Sequence, residues 1–139
     1  SFTALSDIQL TQELAEPAET LRTSTLVYPG GAHDDHVVHS AQRYYKAART
    51  VLHGLNELIP DDPLRLRTIN FTKRNFSVAR ANIRALQALL QNKWLIETYH
   101  MVSKEASSLT HSALLDDLDA HLDFITSLPI RIATIEELL

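Results

Sequence analysis

Apolar residues recur at intervals of three and four along most of the chain, the period of an amphipathic helix. The first such segment is marked by Leu10, Leu14, Ala18 and Leu21, and Ser6 with Gln9 three residues on reads as a capping box at its start. Pro17 interrupts this pattern and predicts a kink or a restart, because proline removes a helical hydrogen bond and clashes with the preceding turn. Tyr28-Pro29-Gly30-Gly31 is the clearest break in the chain. A second helix is predicted from Asp34 or Asp35, whose carboxylates suit a helix N-terminus, to about Leu58. Its stripe is Val37, Ala41, Tyr44, Ala48, Leu52 and Leu55.

Pro60-Asp61-Asp62-Pro63 reads as a turn, with Asp62 capping a third helix that has Pro63 at its first position. Ile69, Phe76, Ala79, Ile83, Leu86 and Leu90 form its stripe, which fails at Lys93 and Glu97. A new seam then runs through Leu95, Tyr99, Val102, Ala106 and Leu109, so a bend or break is predicted near Gln91-Asn92. The last segment carries Leu115, Leu118, Leu122 and Ile125, then Ile132, Ile135 and Leu139, with a restart or kink at Pro129. Alternating strands bounded by turn residues are not evident. The expected fold is all-α: an antiparallel up-and-down helical bundle of four to five helices with short connections, forming a single domain over residues 1–139. Residues 1–32 are expected to form its N-terminal helix and loop. A chain that starts at Ser1 and stops in an apolar helical pattern fits a domain excised from a longer protein.

Composition adds limits. A chain of 139 residues with 45% hydrophobic content can bury a core without staples. It has no cysteine, so disulfides, thiolate metal sites and cysteine nucleophiles are excluded, and a cytoplasmic or other reducing compartment is expected. No apolar run is long enough to span a membrane.

Charge is unevenly distributed. Between Pro63 and Ile96 the chain has 7 basic residues (Arg65, Arg67, Lys73, Arg74, Arg80, Arg84 and Lys93) and no acid. The remainder carries 6 Lys/Arg against 17 Asp/Glu, within a net charge of −4. On a helix Lys73, Arg80 and Arg84 share one stripe, and Arg67 and Arg74 an adjoining one. Such a face would meet an anionic partner or be answered internally, by Asp116, Asp117, Asp119 and Asp123 or by Glu13, Glu16 and Glu19. An acidic protein surface is the favoured partner and an anionic lipid headgroup another. Nucleic acid is disfavoured by the net charge and by the lack of interleaved aromatics. Trp94, at the change of seam, is a candidate interface anchor.

His33, Asp34, Asp35, His36 and His39 crowd the start of the second helix. His36 and His39 stand three apart and are candidate metal ligands. Glu97 and His100 form one Glu-x-x-His, whereas a di-iron bundle needs two. Asp117 and His121 stand four apart, as do Arg49 and His53. Asn70-Phe71-Thr72 and Asn75-Phe76-Ser77 match the glycosylation sequon but fall on the predicted third helix. No nucleophile elbow, phosphate loop or zinc-protease motif occurs. The expected function is therefore a non-catalytic interaction module (adaptor, tether or scaffold), not an enzyme and without a cofactor. Its contact residues would be Arg67, Lys73, Arg74, Arg80, Arg84 and Trp94. The alternatives are a ligand- or metal-sensing bundle centred on His33–His39, and an anionic-lipid or nucleic-acid binder using the basic helix.

Overall fold

The computed structural model describes residues 1–139. Its helices are α1 (Asp7–Leu21), α2 (Asp35–Ala41), α3 (Val78–Gln91) and α4 (Leu115–Ser127). Its strands are β1 (Thr25–Val27), β2 (Ala47–His53), β3 (Leu66–Asn70), β4 (Glu97–Thr98), β5 (Met101–Ser103) and β6 (Ser112–Leu114). The first four form a parallel sheet in the order β1-β2-β3-β4, and β5 and β6 form a second, two-stranded parallel sheet. The protein is therefore α/β, and the expected all-α helical bundle is not what the chain forms. No helix is long and apolar enough to cross a membrane.

The departure has a local cause. The segment expected to be one helix from Asp35 to Leu58 is α2 followed by β2. Ala47, Ala48 and Thr50 of β2 are all buried, so this strand shows no clean alternation. The spacing of Ala48, Leu52 and Leu55 matches a helical period by coincidence, while Thr50 and Val51 carry the β-branched preference for extended backbone. The segment expected to be one basic helix from Pro63 is a 3-10 turn (Pro63–Arg65), then β3, a loop, and α3. Strands of two to seven residues have too few alternations to outweigh a three-four spacing.

Several boundaries follow the predicted chemistry. Ser6 and Gln9 form the capping box of α1, with Ser6 N–H donating to Gln9 Oε1 at 3.1 Å. The interruption expected at Pro17 does not divide this helix, since α1 runs on past it to Leu21. Asp34 Oδ1 accepts from Val37 N–H at 2.8 Å and starts α2. Asp62 Oδ1 accepts from Leu64 N–H at 2.9 Å, capping the 3-10 turn. Ser77, not Asp62, caps α3, and Asn92 ends it in the left-handed conformation, where the break at Gln91-Asn92 was expected. α4 ends at Ser127 with Leu128 extended before Pro129, and no α-helix restarts there as was expected: only a 3-10 turn follows, at Glu136–Leu138.

The chain divides into two compact units. The first comprises Ser1–Leu52, Pro60–Arg67 and Ala133–Leu139; the second comprises His53–Ile59 and Thr68–Ile132. The first unit has its core around Leu10 and Leu14 of α1, Val37, Val38 and Ala41 of α2, Tyr28, Tyr45 and Ala48. Two buried tyrosines satisfy their hydroxyls on main-chain oxygens: Tyr28 donates to Leu64 at 3.0 Å and Tyr45 to Leu14 at 2.9 Å. Ser24 donates to Glu136 Oε1 at 2.6 Å, which holds the C-terminal segment in this unit.

The second unit has its core around Ile69, Phe71 and Ala81, with Phe76, Leu95 and Tyr99 packed against it. The rings of Phe71, Phe76 and Tyr99 form a mutually contacting trio, with centroids 5.1–5.5 Å apart. α3 buries Ala81, Ala85 and Ala88, a stripe of small residues, so its larger apolar stripe faces away. Ile83, Leu86 and Leu90, expected to be core, are exposed.

Candidate functional site

In the second unit β3 and β4 pair in parallel, with Ile69 opposite Glu97 and Asn70 opposite Thr98. Successive side chains on a strand point to opposite faces. Ile69 and Phe71 lie in the aromatic core with Tyr99. Thr68 and Asn70, with Thr98 and His100 of the neighbouring chain segment, therefore form a polar row on the other face. Thr68 is fully buried, donates to the Ile96 carbonyl at 2.8 Å and shares a hydrogen bond with Thr98 Oγ1 at 2.8 Å. One step further along the strands, His100 Nε2 lies 3.1 Å from Asn70 Oδ1. With that oxygen accepting, Nε2 carries the hydrogen. The row passes from sealed to open toward the C-terminal ends of the strands, and His100 is exposed.

The loops after these strands hold this end in place. Asn75 Nδ2 donates to the Asn70 carbonyl at 3.0 Å, and Asn75 Oδ1 accepts from Thr72 N–H at 2.6 Å. Lys73 binds the 104–111 loop twice, N–H to Thr110 O and Nζ to Ser107 O, both at 2.8 Å. That loop brings His111 edge-on to His100, with ring centroids 4.8 Å apart. Asn70, His100 and His111 thus converge although they lie up to 41 positions apart (70 to 111).

On the opposite face of β4 lies a buried polar network. His121 of α4 is 0% exposed, with Nδ1 2.7 Å from Asn82 Oδ1 and Nε2 3.0 Å from Glu97 Oε1. Tyr99 donates its hydroxyl to Glu97 Oε2 at 3.1 Å. Burial, then the Glu97 charge and hydrogen bond, push the Tyr99 phenol well above its ordinary value. Both His121 nitrogens thus have side-chain partners, with Nε2 placed to donate to the Glu97 carboxylate. The network ties β4 to α3 and α4, which fixes the strand that leads into His100. Both His121 and Glu97 stood out in the sequence, each beside a different neighbour; their pairing with one another carried no sequence signal.

In the first unit, the loop after β1 places His33 over Tyr28, with centroids 5.0 Å apart and planes at 15°, and His33 Nδ1 2.9 Å from the Gly31 carbonyl. Burial raises the Tyr28 phenol to about 12, opposed by the Arg65 charge and reinforced by Asp62. Arg65 pairs with Asp62 at 2.6 Å and Asp35 at 2.5 Å. The hydrogen bond that Arg65 donates to Asp62 raises the guanidinium above its ordinary value.

The structure disperses the sequence-predicted contact residues. Arg67 lies on β3, Lys73 and Arg74 lie in the loop after it, and only Arg80 and Arg84 share a helix. Arg80 donates to the Arg74 carbonyl at 3.3 Å and Arg84 to Gln87 Oε1 at 2.9 Å, so the acids of α4 do not answer these two charges. Lys93 pairs with Glu57 at 2.6 Å. Trp94 is buried, its backbone bridged both ways to Asn56 at 2.8 and 3.0 Å, and offers no exposed anchor. His36 pairs with Asp7 at 3.2 Å and His39 Nδ1 lies 2.8 Å from Gln42 Nε2. No three His, Cys, Asp or Glu side chains gather where they could hold a metal ion. Arg49 and His53 lie four apart on a strand, roughly 13 Å along it, not one helical turn apart. Comparison with known protein families, with curated proteins and with solved structures gives no match.

Proposed function

We propose that the second unit binds a neutral ligand rich in hydroxyl or amide groups, as in a saccharide or polyol, at the C-terminal ends of β3 and β4, and that His100 exchanges a proton with it. The observation that carries this reading is the polar row Thr68–Thr98 and Asn70–His100, which opens at that end. In parallel α/β sheets the loops beyond the carboxyl ends of the strands form the usual ligand site. Buried strand faces are ordinarily apolar, and this polar row is tolerated because its members are hydrogen-bonded. Asn70, Thr98, His100 and His111 offer donors and acceptors without a fixed charge, which suits a neutral polar molecule better than a carboxylate or phosphate. Histidine is the side chain whose ordinary value best suits proton transfer near neutral pH. The expectation of a non-catalytic module rested on a bundle and on missing motifs; a strand-end site needs no contiguous motif.

The test is imidazole NMR of the intact chain titrated with simple sugars, polyols and primary amides, and with acetate and phosphate as charged controls. The expected result is a shift of the His100 and His111 signals with neutral probes, at least tenfold weaker in Asn70→Ala. Shifts with the charged controls alone, or shifts indifferent to Asn70→Ala, overturn the reading.

A second reading, a protein-interaction module, is favoured by one observation. α3 exposes Ile83, Leu86 and Leu90 in a single stripe beside Arg80 and Arg84. An apolar stripe framed by charge is a recognition surface in its own right. The lipid and nucleic-acid alternatives lose support, since Arg65, Lys73 and Lys93 are engaged elsewhere.

A further inference from the structure

We infer that the outward face of α3 pairs with a second copy of this chain about a two-fold axis parallel to the helix. The inference rests on the interaction reading and names its partner. Ile83, Leu86 and Leu90 are 53%, 36% and 83% exposed, and their spacing of three and four places them on one line of the helix. Exposed Ala79 extends that line by one turn. The buried alanines Ala81, Ala85 and Ala88 occupy the opposite side, so the stripe is not a frayed edge of the core.

The two flanks of the stripe differ. Arg80, Arg84 and Gln87 lie on one side of it. Asn82, on the other, bonds to His121 of α4, so α4 lies on that flank. α4 exposes Asp116, Asp119 and Asp123 one turn apart, outside the unit's ion pairs Lys93–Glu57 and His121–Glu97. Each copy therefore presents, in order, an acidic helix, an apolar stripe and an arginine edge. A two-fold axis across α3 would set arginine against arginine. An axis along α3 makes the helices parallel and sets each arginine edge over the other copy's acids, an isologous and self-complementary arrangement. A foreign partner would need the same apolar stripe and opposite charge order, which this chain already supplies.

The absence of native cysteine makes the test direct. Single variants Leu90→Cys and Ile83→Cys are made at exposed positions and mildly oxidised. Parallel pairing predicts that each forms a disulfide-linked dimer with itself, whereas mixing the two adds little cross-linked species. Analytical ultracentrifugation of the native chain should show a concentration-dependent dimer. Arg80→Glu/Arg84→Glu should weaken it at least tenfold, and mixing that variant with Asp119→Lys/Asp123→Lys should restore dimers. A native chain that stays monomeric at every concentration overturns the second copy as occupant. In that case a Leu90→Cys thiol that reacts with maleimide at the rate of a free thiol leaves the interaction reading standing. A thiol that is protected in the monomer shows the face covered within the chain and ends both. Dimers that cross-link only between Leu90→Cys and Ile83→Cys overturn the parallel axis.

Discussion

Replacing His121 by leucine tests the buried network on which the candidate site depends. His121 is 0% exposed and the Glu97 side chain 13% exposed. Leucine fills much of the ring volume but removes both nitrogens. Asn82 Oδ1 loses its partner at 2.7 Å, and the Glu97 carboxylate keeps only the Tyr99 hydroxyl. Stranding one member of a buried pair costs about 3–5 kcal/mol, chiefly because the remaining charge is desolvated without compensation. Against a typical stability of about 5–15 kcal/mol this is a large fraction. For a chain of this length it corresponds to a drop in Tm of roughly 10–20 °C. Glu97→Leu/His121→Leu removes both members of the pair and should lose less than the single variant, about 1–3 kcal/mol, from the unpaired Tyr99 and Asn82 groups. The assay is urea unfolding followed by fluorescence of Trp94, the single tryptophan, which is buried in the same unit. A His121→Leu cost below about 1 kcal/mol, or a double variant at the sum of the two singles, would refute the argument that this pair anchors β4.

Further predictions concern the first unit and the end of α3. Because the folded-state Tyr28 phenol is raised to about 12 from its ordinary 10, its neutral form stabilises the fold below pH 10 and that contribution is lost as pH rises through 12. Phenolate absorbance should show a late-titrating tyrosine that Tyr28→Phe removes, together with part of the alkaline loss of stability. Gly31→Ala should cost about 2–4 kcal/mol in urea unfolding, because φ is +76° and a Cβ would meet Val51 Cγ2 at 2.5 Å. Gly30→Ala, with φ +65° and nothing within 4 Å, should cost only about 1–2 kcal/mol; equal costs at the two positions would remove the steric argument. Asn92→Gly should leave thermal stability unchanged or slightly raised, while Asn92→Val lowers it by about 1 kcal/mol or more, since this residue holds φ +55° at the end of α3.

Local features were legible in the chain; non-local ones were not. The capping box at Ser6 and Gln9, the Asp34 cap, the Asp62 cap, the break at Asn92 and the extended Leu128 before Pro129 all depend on neighbours within a few residues. β2 and β3 depend on pairing: Thr50 Oγ1 donates to the Leu66 carbonyl at 2.9 Å, and no residue between them announces that bond. The helical period of α3 was also legible, but not which side is buried. Small Ala81, Ala85 and Ala88 face the core because they allow close packing on the strands, while hydrophobicity alone favoured Ile83, Leu86 and Leu90.

The candidate site shows the same division. His100, His111, His121 and Glu97 were visible as individual titratable residues, and Asn70 only as part of a sequon. Readable from the residues alone was where backbone must turn, stop or start: Pro29-Gly30-Gly31, Asp62-Pro63, Asn92 and Pro129, together with the acid-free basic stretch and the absence of thiol chemistry. Those properties follow from single-residue sterics, caps and charge, which act over one turn of chain. The tertiary structure alone decided that strands replace helices between Ala47 and Asn70, that Trp94 is buried, and that His100 meets Asn70 while His121 meets Glu97. Each of these is a contact between residues far apart in the chain, won by mutual burial and hydrogen-bond satisfaction that no local pattern encodes.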